Sequence, residues 1–288
     1  MSDQPAANAP ASLEFGFIGL GHQGSPMAER MISGGLRPWL WARREGVLQR
    51  YRDTGARLAS SPAEVGANCD VIGLCLYDAA ATDTVLFGAD GLMTDIRPGT
   101  VLAVHATTGP GYVVELAARV AARGVHVVDA PVSGGDAAAL AGRLVVILGG
   151  DEAAAEACGP MCATYASKVI PVGEVGAAQS AKLINNSLMT AITGLVYDAF
   201  DLGSRLDIDV EALGEVLGNG SAANPSVGVF LALGGAREFS VRAWPTLHKD
   251  VALLQALIDG TPNGDSELLT SAVAAIKEMS RLRGLPPL

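Results

Sequence analysis

Residues 14–25 read Glu14-Phe15-Gly16-Phe17-Ile18-Gly19-Leu20-Gly21-His22-Gln23-Gly24-Ser25. An apolar run ends in glycines spaced Gly-x-Gly-x-x-Gly, and helix-like sequence opens near Ser25. In that context each glycine has a physical task. Gly19 permits a tight turn, Gly21 lets the backbone approach a pyrophosphate, and Gly24 allows the helix to pack closely on the strand. The free N–H groups at the helix start then face the phosphates. Gly19, Leu20, Gly21, His22, Gln23 and Gly24 are therefore expected to bind a dinucleotide.

Outward from this turn, short apolar runs alternate with amphipathic stretches. The pattern predicts strands at 14–18, 39–41, 71–76, 100–105, 125–130 and 144–148, with helices at 25–33, 46–54, 62–67 and 111–122 between them. Such alternation argues for βαβ crossovers and a mainly parallel sheet, and near-continuous apolar strands fit a sheet covered on both faces. After Gly176 the pattern is helical: 178–206, 210–217, 248–258 and 266–282, with Leu183, Leu188, Ile192, Leu195, Val196 and Phe200 as the apolar face of the first. The expected fold class is α/β, an N-terminal Rossmann-type doubly wound sheet followed by an all-α C-terminal domain joined by a long helix. Residues 1–12, without basic start or apolar core, read as a disordered tail rather than a signal peptide. Residues 13–176 read as the cofactor domain, and 177–288 as the helical domain for substrate binding and oligomerisation.

Composition narrows the function. The chain has 288 residues with 20 Lys plus Arg against 30 Asp plus Glu, a formal charge of −10. It lacks the broad basic field that sequence-independent nucleic-acid binding needs. Mean hydropathy is +0.32, yet the longest uncharged stretch, 216–236, is broken by glycines, Asn219, Asn224 and Pro225, so no membrane span is expected. Cys69 and Cys75 lie in an apolar run read as a buried strand. Cys158 and Cys162 are spaced to share a helix face, with no histidine near them to complete a metal site. Buried free thiols in a reducing cytoplasm are the expectation, with no metal.

The end of the second strand bears on which dinucleotide binds. A carboxylate there would hold the ribose 2′-hydroxyl of NAD. Instead the chain reads Trp41-Ala42-Arg43-Arg44, and a guanidinium fork at Arg43 or Arg44 can bind a 2′-phosphate. This predicts NADP(H), although the same pair also reads as a solvated basic loop. Further along, Asp129-Ala130-Pro131-Val132-Ser133-Gly134-Gly135 ends a strand abruptly and exposes backbone N–H groups and a hydroxyl, which suits a small carboxylate. Lys182 and Asn186 are four apart and share a helix face. A partly desolvated lysine can trade a proton near neutral pH; taken alone, Lys182 reads as a solvated residue.

The glycine turn, the DAPVSGG stretch, residues 173–186 (GEVGAAQSAKLINN) and Leu247-His248-Lys249-Asp250 together resemble, in this order, the β-hydroxyacid dehydrogenases, the group that includes 3-hydroxyisobutyrate dehydrogenase and tartronate semialdehyde reductase. The resemblance runs from Leu13 to about Leu282. It implies Lys182 as general acid/base and Asn186 as a substrate-holding or lysine-orienting residue. It implies that Ser133, Gly134 and Gly135 bind the substrate carboxylate, that Lys249 closes the site near the cofactor with Asp250 in support, and that Thr107 lies beside the nicotinamide ribose. Leu76, at the end of the third strand, joins the expected cofactor contacts. A homodimer or homotetramer is implied too.

The chain departs from the family pattern at several points. Val104-His105-Ala106-Thr107 stands where Asp-Met-Ser-Thr is usual, Tyr77 where a proline is common, and Ala178 where a glycine is. His105 reads as a strand-end histidine satisfied by backbone groups. Two other readings compete: an imine reductase-like NADPH enzyme on the same fold, which normally lacks the DAPVSGG turn and the helix lysine, and a non-catalytic NADPH-binding module. A short-chain dehydrogenase needs Tyr and Lys four apart, and Tyr165 and Lys168 are three apart.

Overall fold

The computed structural model describes residues 13–259, 261 and 265–285. The expected tail at 1–12 lies outside the described residues. One compact unit ends at Gln179 and a second begins at Ser180.

The first unit holds a nine-stranded sheet. Its strands are β1 (Phe15–Ile18), β2 (Trp39–Trp41), β3 (Arg57–Leu58), β4 (Val71–Leu74), β5 (Val101–Val104), β6 (His126–Asp129), β7 (Val132–Ser133), β8 (Leu144–Gly149) and β9 (Ala166–Gly173). The order is β3-β2-β1-β4-β5-β6-β8-β7, with β9 also on β8. Pairing is parallel from β3 to β6, then antiparallel where β6 meets β8 at Asp129 and Gly149. The strand order reverses between β1 and β4, and ligands of open α/β sheets bind outside the carboxyl ends of the strands at such a switch point.

Successive residues of these strands face opposite ways, so each strand feeds two cores. Phe15, Phe17, Val101 and Ala103 pack on one side with α1 (Gly24–Ser33), while Ile18, Leu102 and Val104 pack on the other. In chain order the next helices are α2 (Glu45–Leu48), α3 (Pro62–Asn68), α4 (Ala79–Phe87), α5 (Leu92–Asp95), α6 (Pro110–Ala121), α7 (Gly135–Leu140) and α8 (Glu152–Tyr165). Residues of α3 to α6 share the second core, and Cys158, Met161 and Tyr165 of α8 the first. The helix expected at 46–54 is shorter than its pattern suggested. It ends at Leu48 and tightens into a 3-10 turn over Gln49–Tyr51, where Tyr51 turns into the core. Cys69 and Cys75 flank β4 rather than lie within it.

The long helix α9 (Ala177–Arg205) leads into α10 (Val210–Asn219), α11 (Pro225–Leu233), α12 (Ala236–Asp259) and α13 (Glu267–Leu282). The face of α9 differs from the expected one. Leu188 and Leu195 are exposed, while Lys182, Asn186, Ser187, Thr190 and Thr193 are buried. Threonine makes this possible because its hydroxyl can return to the carbonyl one turn earlier. Thr190 Oγ1 donates to the Asn186 carbonyl at 2.7 Å, and Thr193 Oγ1 to that of Met189 at 2.8 Å. Periodicity of apolar residues alone does not reveal a buried polar stripe of this kind. No described helix is long and apolar enough to cross a membrane.

Candidate active site

Parallel register brings Ile18, Leu74, Val104 and Asp129 into one row across β1, β4, β5 and β6. The next residues continue it: Cys75 N–H donates to Ile18, His105 N–H to Leu74 and Ala130 N–H to Val104, all at 2.8–2.9 Å. The glycine turn, the loop from His105 to Gly109 and the DAPVSGG turn therefore all leave the same sheet edge.

At the glycine turn, Gly19 has φ +101°, and a Cβ on it would sit 2.2 Å from the Cys75 carbonyl oxygen. A Cβ on Gly24 would sit 1.9 Å from the Gly19 oxygen, so the helix start is packed tightly on the turn. Gly21 is different: nothing lies within 4 Å of a Cβ placed there. The turn thus presents an open cradle at its middle glycine, which fits the approach of a pyrophosphate. Gly19, Leu20, Gly21, Arg43, Arg44 and Leu76 line a cavity of about 490 Å³. Asp90 is the single acidic residue among those lining it. Trp41 and Tyr77 complete its apolar side. His22, Gln23, Gly24 and Thr107 do not line it. Gln23 instead turns to the neighbouring segment, its Nε2 donating to the Gly135 carbonyl at 3.4 Å. Ser133 ends β7 half-buried, with Gly134 and Gly135 exposed after it.

His105 is buried between a backbone and a side-chain partner. Its Nδ1 is 2.7 Å from the Ala130 carbonyl, which can only accept, so Nδ1 carries the proton. Nε2 then accepts from the Tyr165 hydroxyl at 3.2 Å. Burial pushes the imidazole down to about 4, against the Ala130 hydrogen bond, which pulls it up. The ring ties the end of β5 to the end of β6 as a neutral group. Its second partner, Tyr165, is a side chain where only backbone partners were expected.

In the second unit Lys182 and Asn186 lie one turn apart on α9, both buried. Asn186 Nδ2 donates to Asp250 Oδ2 of α12 at 2.6 Å. Lys249 Nζ forms an ion pair with the other oxygen at 2.9 Å. Asp250 is fully buried. Burial pushes the Lys182 ammonium down to about 8; Asp250 pulls it back up and Lys249 pushes it further down. Among the described residues no cluster of side chains could hold a metal ion.

Asp129 and Gln179 were not singled out by the sequence. Asp129 Oδ1 accepts from Gly176 N–H and Oδ2 from Gln179 N–H, both at 2.9 Å, so a buried carboxylate grips the start of α9. Burial raises its pKa and these backbone donors lower it. Gly149 leaves room for it, since a Cβ there would lie 2.7 Å from Asp129 Oδ1. The only sequence signal is the DAPVSGG motif itself, which begins with this aspartate.

A doubly wound sheet with an open glycine turn at its switch point, followed by a helical unit, fits an NAD(P)-dependent oxidoreductase. The profile of the NAD binding domain of 6-phosphogluconate dehydrogenase matches residues 14–173. L-threonate dehydrogenase of Cupriavidus necator is 36% identical over 207 residues, 72% of this chain and 70% of its own length. 2-(Hydroxymethyl)glutarate dehydrogenase of Eubacterium barkeri is 30% identical over 279 residues, 95% of this chain and 91% of its own. The crystal structure of 3-hydroxyisobutyrate dehydrogenase from Salmonella typhimurium shares the fold, with a TM-score of 0.82 at 23% identity over 96% of each chain. The chain belongs to the β-hydroxyacid dehydrogenase family and is a dehydrogenase acting on CH–OH groups.

Proposed function

We propose that the protein transfers hydride between NADP(H) and a small, carboxylate-bearing β-hydroxyacid or the corresponding aldehyde. The observation that carries this reading is Lys182: a buried lysine with its pKa pushed down to about 8, on the same helix face as an asparagine held by a buried carboxylate.

The nicotinamide, when bound, supplies or accepts the hydride. Lys182 gives a proton to the substrate oxygen in reduction and removes it in oxidation, and its positive charge stabilises the developing alkoxide. Asn186, fixed by Asp250, orients the substrate. Ser133 and the backbone of Gly134 and Gly135 receive the carboxylate, and Lys249 adds a second cation from the helical domain. The turn from Gly19 to Gly24 holds the pyrophosphate, Leu76 and Thr107 flank the cofactor, and Arg43 and Arg44 hold the 2′-phosphate. A cavity lined by two guanidinium groups and a single carboxylate supports NADP(H) over NAD(H). The two curated relatives are named for hydroxylated carboxylates, which supports the substrate class. Four free cysteines support a reducing cytoplasm. Exposed Leu188, Leu195 and Leu202 on α9 support a homo-oligomer built through the helical domain.

The test is a screen of NADPH oxidation against small aldehydes, 2- and 3-oxoacids and cyclic imines, with Lys182→Ala alongside. An oxoacid or aldehyde response that falls by roughly 10² to 10⁴ in the variant, with NADPH still bound, is expected. Turnover of cyclic imines alone, or a variant as active as the parent, overturns the reading.

A further inference from the structure

Gln179 is fully buried in the first turn of α9. Its side chain reaches back about seventy residues in sequence to the loop after β5. Oε1 accepts from Thr108 N–H at 3.0 Å and from Gly109 N–H at 3.3 Å, and Nε2 donates to the Ala106 carbonyl at 2.9 Å. One amide therefore satisfies three backbone groups of a loop that has left the sheet ladder and has no strand partner for them. Gln179 is anchored in turn, because its own N–H donates to Asp129 at the end of β6.

This is more than filling. The loop lies at the carboxyl edge of the sheet, where a ligand of this fold binds. It does not rest in a conformation that satisfies itself: Thr108 Oγ1 is buried with no hydrogen-bond partner among the described residues. The Gln179 amide supplies the side-chain hold on this loop. Lys182 follows three residues later on the same helix.

We propose that Gln179 is a positioning residue for hydride transfer, clamping the 106–109 loop, with Thr107 at its centre, to the first turn of the helix that carries Lys182. The inference rests on the function proposed above. An amide is the group that suits this place: a carboxylate would accept both N–H groups but repel the Ala106 carbonyl, and an apolar side chain of the same length would strand all three.

The experiment compares the parent with Gln179→Glu and Gln179→Met by backbone amide exchange without cofactor, NADPH binding by fluorescence, and turnover with NADPH deuterated at the transferred position on the best carbonyl compound of the screen. Faster exchange at Thr108 and Gly109 in Gln179→Met is expected, with β5 and α6 still protected. The graded order is parent, Glu, Met, with falling kcat and a rising isotope effect as hydride transfer becomes limiting, while NADPH binding changes little. The carboxylate variant preserves both N–H contacts and keeps the test open if the methionine variant folds poorly. Unchanged exchange at Thr108 and Gly109 overturns the clamp. Faster exchange with unchanged kcat and isotope effect leaves a structural staple only and overturns the positioning role. Failure of the underlying reading shows separately, as full turnover in Lys182→Ala or no turnover of any carbonyl compound by the parent.

Discussion

Asn186 and Asp250 are joined by a 2.6 Å hydrogen bond between α9 and α12, and Asp250 holds Lys249 with its other oxygen. One buried carboxylate thus organises an amide and an ammonium and also pulls the Lys182 pKa upward. Asp250→Asn keeps the volume and removes the charge. Turnover should fall by about tenfold or more. With the upward pull on Lys182 gone, the pH at which activity in the reducing direction is lost should move down. A pH–rate profile of the variant checks both, and an unmoved limb would show that Asp250 does not tune the lysine.

The parent enzyme should show opposite pH dependences in its two directions. In the proposed mechanism reduction needs protonated Lys182 and should decline as pH rises through about 8, whereas oxidation needs the free amine and should increase over the same range. Stability follows the same shift. Between about 8 and the ordinary lysine value of 10.5 the unfolded chain holds more protons than the native one, so stability rises with pH across that window. Below it the full cost of burying the ammonium is present. Lys182→Met should therefore raise the thermal midpoint at pH 7 while abolishing turnover.

Arg43 lines the cavity beside the glycine turn. Arg43→Ala should weaken NADPH by roughly tenfold or more, the worth of a charge-assisted pair, and leave NADH nearly unchanged. Titration of cofactor fluorescence measures both; equal losses would assign the 2′-phosphate elsewhere.

Gly21 and Gly24 should fail in different ways. Gly21→Ala puts a methyl group into open space, so the fold should persist with its thermal midpoint intact while cofactor affinity drops. Gly24→Ala drives a methyl group into the Gly19 carbonyl and should lower the midpoint itself. Thermal scans with and without NADPH separate the two.

Much of this architecture was legible because it rests on local rules. Gly19, Gly21 and Gly24 announce a strand–turn–helix unit by spacing, and the apolar runs at 71–76 and 100–105 announce buried strands. Lys182 and Asn186 share a face by periodicity alone. What escaped depends on long-range partners. Helix α8 is rich in alanine and interrupted by Pro160, so it shows little amphipathic signal. Strand β9 exposes Val169, Ile170 and Val172 and follows neither the buried nor the alternating pattern. Thr190 and Thr193 look like a solvated stripe until their hydroxyls are seen to close on their own helix. Gln179 lies inside the 173–186 stretch, but its role is invisible until the 106–109 loop is folded beside it.

The bare backbone at Gly149 constrains how this chain can drift. The position lies on β8, outside every motif that suggests chemistry, yet its missing side chain is the space that the Asp129 carboxylate occupies while gripping the start of α9. Even an alanine there would displace the carboxylate or push the strand aside. A saturation scan of the gene should find position 149 nearly as intolerant as the lysine codon itself, although residue 149 has no part in the proposed chemistry.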